Sequence, residues 1–161
     1  MGHKYLIVGR GKSSQKLKTE RLSLKLTVPG GEPYQYLTWA LALFRGGSRQ
    51  EAFNKLYQTM LENLYLVPFL LGRSPQRLDI WHGSNLAWIE YAVEVPQELL
   101  NLWDDVALQW AREVSEHPAV VERVGRYVAI HRALKSERLG PRRSALVEES
   151  SALKKTVIPL H

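Results

Sequence analysis

At 161 residues, with 45% apolar and 24% charged side chains, the chain has the length and composition of one globular domain able to bury a core. It contains no cysteine, which excludes disulfides, thiolate metal sites and a cysteine nucleophile. Its net charge of +6 is unevenly placed: seven basic residues and one acid, Glu20, fall in residues 1–31, leaving fifteen of each sign beyond them out of 22 and 16 in all.

Residues 1–31 read as a basic N-terminal arm. The stretch GRGKSSQK has the composition of a flexible loop and lacks the spacing of a phosphate-binding loop. Leu22, Leu24, Leu26 and Val28 alternate with polar residues, the period of a short half-buried strand, although the same residues could close a helix. Pro29, Gly30, Gly31 and Pro33 end the segment either way. No apolar run approaches the ~20 residues of a membrane span, and the opening MGHKYLIVGRGK has too short an apolar core for a signal peptide. The expectation is a cytoplasmic chain with no membrane contact.

Pro33 suits a helix start, and Tyr36, Leu37, Ala40, Leu41, Leu43 and Phe44 then recur at helical spacing. Gly46-Gly47 closes this helix, and Ser48 with Glu51 predicts a capping box for the next. There Ala52, Phe53, Leu56, Thr59, Met60 and Asn63 continue the 3.6-residue period. So short a connection forces the two helices antiparallel.

Small residues at the crossing, Ala40 and Ala52, with Trp39, Leu43, Leu56 and Thr59 in the large and small core positions, resemble one tetratricopeptide repeat; Leu64 stands where that motif ends in proline. The following ENLYLVPFLLGR, GSNLAWIEYAVE and LWDDVALQWAREV are similar to the C-terminal repeat segment of suppressor-of-tumorigenicity-7-type tetratricopeptide proteins. The resemblance covers residues 33–114. It implies an all-α fold of antiparallel hairpins, a short solenoid or bundle, and scaffold or adaptor work.

After Gly72 comes a long loop holding Trp81 and His82, then a helix expected over 84–95 with Ser84 as its cap. The longest helix is expected over 97–116, with Leu99, Leu102, Trp103, Val106, Trp110 and Val114 along one face. Trp103 and Trp110 point to the core, or else to a groove for another helix, whereas Trp81 is the loop aromatic suited either to anchor an interface or to lie as a lid over the helix ends. Pro118 opens a last strong helix, broken at Gly140-Pro141. The domain organisation is therefore arm 1–31, helical domain 32–139, and a tail 140–161 with room for one weak helix.

No catalytic set emerges. The histidines His3, His82, His117, His131 and His161 lack H-x-x-x-H and H-E-x-x-H spacing, so no metal or other cofactor is expected. Asp104-Asp105 and Glu148-Glu149 are neighbours about 100° apart on a helix, poor acid and base partners, and no serine sits in G-x-S-x-G. A single hairpin cannot bury both faces, so its first face should be covered by the 22–28 segment, a second copy of the chain or a protein partner. The functional expectation is a non-enzymatic protein-interaction module using Tyr34, Trp39, Asn63, Tyr65, Arg73, Trp81 and His82. The alternative is a nucleic-acid-binding accessory protein that pairs phosphates through Lys12, Lys16, Lys18, Arg21 and Lys25.

Overall fold

The computed structural model describes residues 32–160. The basic arm, the strand expected over 22–28 and the phosphate contacts expected of Lys12, Lys16, Lys18, Arg21 and Lys25 lie outside the described residues. Within them the chain is all-helical, with no strand. None of these helices is long and apolar enough to cross a membrane.

Helix α1, Glu32–Arg45, begins with an acid and a proline in its first turn and ends on Arg45, each suited to the partial charge at its end. It buries Leu37, Ala40, Leu41 and Leu43. Gly47 then adopts φ +83°, and Ser48 N–H donates to Leu43 O (3.0 Å) while Gly47 N–H donates to Phe44 O (3.1 Å). This pairing satisfies the last carbonyls and turns the chain back into α2, Arg49–Glu62. The capping box expected at Ser48 is a correction: Ser48 is held at φ −83°, ψ 69° by that turn, and its side chain makes no cap hydrogen bond. α2 buries Ala52, Phe53, Leu56, Tyr57, Thr59, Met60 and Leu61, as the 3.6 period requires.

A short helix α3, Leu66–Leu70, follows. The helix expected over 84–95 is shorter than the pattern suggests: residues Asn85–Ala87 form one 3₁₀ turn, Trp88 is extended, and α4 spans only Ile89–Val93. Ser84 makes no cap bond. The physical reason lies outside the segment, because the carbonyls of Leu86 and Trp88 are taken by Asn63 Nδ2 at 2.9 and 3.0 Å. The helix expected over 97–116 is likewise two, α5 (Gln97–Leu100) and α6 (Asp105–Glu116). Asp104 breaks it, its Oδ1 accepting from Ala107 N–H at 2.9 Å as an N-cap. The break rotates α6 relative to α5, so Trp103 and Trp110 are buried together while Val106, expected on the same face, is 70% exposed.

α7, Pro118–Leu134, starts at its proline as expected. Beyond Gly140 the chain forms a full helix, α8, Pro141–Lys155, followed by an extended stretch. α8 packs on α7 through polar groups: Arg126 donates twice to the Glu149 carboxylate (2.6 and 2.7 Å), and Arg143 donates to the carbonyls of Leu134 and Glu137 (2.8 and 3.0 Å). α1 pairs with α2, and α2 is touched in turn by α3, α6, α7 and α8.

Candidate functional site

The loop after α3 is shaped from its base by Asn63 and Tyr65. Asn63 is fully buried; its Oδ1 accepts from Tyr65 N–H (2.9 Å) and its amide nitrogen holds the two carbonyls already described. The buried Tyr65 hydroxyl accepts from Leu78 N–H (3.0 Å) and lies 2.7 Å from His82 Nε2. With one lone pair committed to Leu78, the phenol proton is available to Nε2, which fits a neutral His82. Burial, then the Arg77 charge, depress the His82 pKa. Its ring also stacks on Tyr65, centroids 5.8 Å apart.

One residue earlier, Trp81 is clamped by His131 on α7. Trp81 N–H donates to His131 O (3.0 Å), and His131 Nδ1 donates back to Trp81 O (2.7 Å). A carbonyl can only accept, so Nδ1 carries a proton, and in the neutral ring Nε2 accepts from the Ser150 hydroxyl of α8 at 2.8 Å. The His131 ring lies between Trp81 (5.6 Å, 14°) and Tyr127 (4.1 Å, 28°). The Arg143 guanidinium sits 5.1 Å from the centre of the Trp81 ring. Trp81 is thus fixed by its backbone, by a stacked ring and by a cation, yet remains 37% exposed. Gly83, at φ +81°, turns the chain away beside it. Next to this tryptophan opens a cleft of about 240 Å³ lined by His82, Gly83, Tyr127, Ser150 and Lys154.

Ser150 and His131 have the separation of a nucleophile and base, but Ser150 lies inside α8, where the backbone N–H groups around it are spent in helix bonds. The α8 backbone therefore offers no cradle for a developing oxyanion, and the contacts that His131 makes hold Trp81 in place. Among the described residues no group of three or more His, Asp or Glu converges to hold a metal ion.

His131 is buried among Trp81, Tyr127 and Ser150, with Lys154 and His82 adding positive charge nearby, and burial is the main cause that lowers its pKa. The fold therefore prefers both rings neutral. This stabilisation is complete above the unfolded pKa of about 6.5 and is lost as pH falls through the lower folded values. The melting temperature should fall as pH drops below about 6.5, and His131→Gln should flatten part of that dependence. A pH profile unchanged by that substitution would place the loss elsewhere.

Of the seven residues expected to bind a partner, Asn63, Tyr65, Trp81 and His82 converge, the first two as buried supports and the last two at the cleft. The other three stand apart. Tyr34 is buried, stacked on Tyr91 at 4.0 Å, and its hydroxyl donates to Tyr91 O, so it ties α1 to α4. Trp39 lies half-buried on the outer face of α1 beneath the Lys55 ammonium, 4.3 Å from the ring centre. Arg73 is exposed past Gly72 and reaches Glu116 at 3.7 Å. Sequence reasoning missed Tyr127, His131 and Ser150; the four-residue spacing of Tyr127 and His131 on one helix face was the available signal.

Compared with models of known protein families, with curated proteins and with solved structures, the chain matches none of them.

Proposed function

We propose that the chain is a protein-interaction module, a scaffold or adaptor of the cytoplasm, that holds a protein partner at the cleft beside Trp81 and His82. The observation that carries this reading is the immobilised, exposed tryptophan. A large aromatic already fixed at a cleft loses little side-chain entropy when a partner covers it, which is what makes such residues interface anchors. The tetratricopeptide resemblance of residues 33–114 supports the same class of function.

Capture from lysate with the full chain and with Trp81→Ala, each with and without nuclease, tests the proposal. The expected result is a set of proteins that survives nuclease and is depleted at least about tenfold by the substitution, in the range of a hot-spot truncation. The substituted chain should keep its melting temperature within a few degrees, because Trp81 is partly exposed. Equal recovery with both chains would sink the cleft as the binding surface. The charge of residues 1–31 supports a second reading, nucleic-acid binding through Lys12, Lys16, Lys18, Arg21 and Lys25. Recovery that vanishes with nuclease and falls steeply with salt would support it instead.

A further inference from the structure

We infer that Ser74 accepts a phosphoryl group from a proline-directed protein kinase, and that the phosphate takes Arg73 and Arg77 from the carboxylates they now hold. Ser74-Pro75 is the only serine or threonine followed by proline in all 161 residues, and Arg77 stands two positions beyond the proline. Kinases of this class read that pattern, a proline directly after the acceptor and a cation shortly downstream. The proline has no N–H to leave unsatisfied in the kinase cleft, and it holds the preceding serine extended.

The fold presents this segment ready to be taken up. α3 is closed by Gly72 at φ +80°, with Gly72 N–H donating to Phe69 O and Arg73 N–H to Pro68 O, each at 3.0 Å. The next fixed point is Leu78 N–H on the Tyr65 hydroxyl. Between these anchors residues 74–77 have no helical or strand structure, and Ser74, Gln76 and Arg77 are exposed. Among the described residues no main-chain group of 74–77 is hydrogen-bonded and the Ser74 hydroxyl has no partner. A kinase therefore binds the segment in extended form without breaking any main-chain bond of the domain. Ser115, Ser144, Ser150 and Ser151, by contrast, lie inside α6 and α8, where extension would cost helix bonds.

In the transfer the Ser74 hydroxyl oxygen attacks the terminal phosphorus of ATP, the bond from that phosphorus to ADP breaks, and the hydroxyl proton passes to the kinase's base. The product carries about two negative charges at neutral pH. On either side of it stand Arg73, 3.7 Å from Glu116 on α6, and Arg77, ion-paired with Glu90 on α4. Both pairs are exposed and weak, whereas the phosphate offers a denser charge and three acceptor oxygens. The loop exchanges its side-chain ties to α6 and α4 for ties to itself. None of this depends on what binds beside Trp81, and either reading can fail alone.

The full chain and a synthetic peptide of residues 70–79 are each incubated with a purified cyclin-dependent-type kinase, ATP and magnesium, and the phosphate is located by tandem mass spectrometry. One phosphate per chain is expected, on Ser74, and none there in Ser74→Ala or Pro75→Ala. The folded chain should be modified within about tenfold of the peptide's rate, since no local opening has to precede transfer. Modification of the peptide alone, modification of the chain at another residue, or a Pro75→Ala chain modified as fast as the unsubstituted one overturns the assignment. Phosphorus NMR reads the second half of the inference. The second ionisation of the phosphate, at about pH 6 in phosphoserine, should move down in the modified chain and return when Arg73→Ala and Arg77→Ala are combined, with transfer run to completion. An ionisation that ignores the double substitution overturns the exchange of partners.

Discussion

Replacing Asn63 with leucine should destabilise the domain by about 3 kcal/mol or more, read as a fall of about 10 °C in melting temperature for a chain of this size. Asn63 is fully buried and joins three backbone groups, the N–H of Tyr65 and the carbonyls of Leu86 and Trp88. Leucine has the same branched outline and is the larger of the two, so the loss is not a cavity. It is the desolvation of polar groups left without partners, each costing about 1–3 kcal/mol when water cannot reach it. Asn63→Asp would keep the acceptor for Tyr65 and replace two donors with an anionic oxygen facing two carbonyls. It should be at least as damaging near neutral pH. Urea denaturation of both variants checks this; a loss below about 1 kcal/mol for leucine would mean that water replaces the amide.

Trp110→Ala should cost about 4 kcal/mol, and for the opposite reason. Trp110 is buried with its ring stacked on Phe44 (4.4 Å, 16°) and parallel to Trp103 (6.3 Å, 8°), so it seats α6 against α1. Truncation removes the largest apolar side chain of α6 and opens a cavity that Phe44 and Trp103 can only partly refill. The polar bridges alongside are minor by comparison. Arg45, which donates to Leu102 O (2.5 Å) and lies 3.6 Å from Asp104, works at a half-wet surface where an ion pair is worth about 1 kcal/mol at most. Trp110→Phe should recover roughly half the loss, because it restores a stacked ring of smaller area. Equal stability of the alanine and phenylalanine variants would show that the stack adds nothing to burial.

What the sequence disclosed divides along a physical line. α1 and α2 were legible because each buries a stripe of its own, and because Gly46-Gly47 marks a turn that only glycine takes easily. The division at residues 101–104 was hidden because Leu99, Trp103, Val106 and Trp110 have a spacing that also suits an unbroken helix. The cap at Asp104 was present in the sequence, but it reads the same as a pair of surface acids until Ala107 N–H is seen to donate to it. α8 was nearly illegible, since of its fifteen residues only Ser150 is buried. Its stability comes from partners such as His131, 19 residues away, and Tyr57, 96 away, which no local period encodes. The candidate site divides the same way: Trp81 was readable as a loop aromatic, whereas its clamp comes from His131, 50 residues on.

The central position of α2 has a consequence for how such a domain can come apart and how it can evolve. In a stack of repeats each unit touches only its neighbours, so stability is a sum of local parts, ends can melt alone and units can be added. Here one helix is touched by α1, α3, α6, α7 and α8, and bonds from Asn54 and Gln50 reach 104 to 110 residues along the chain. None of these five helices can leave without exposing α2. The domain is therefore one cooperative unit, lost or kept whole, and the flank of α2 that a further repeat would need is already covered by the chain's own later helices.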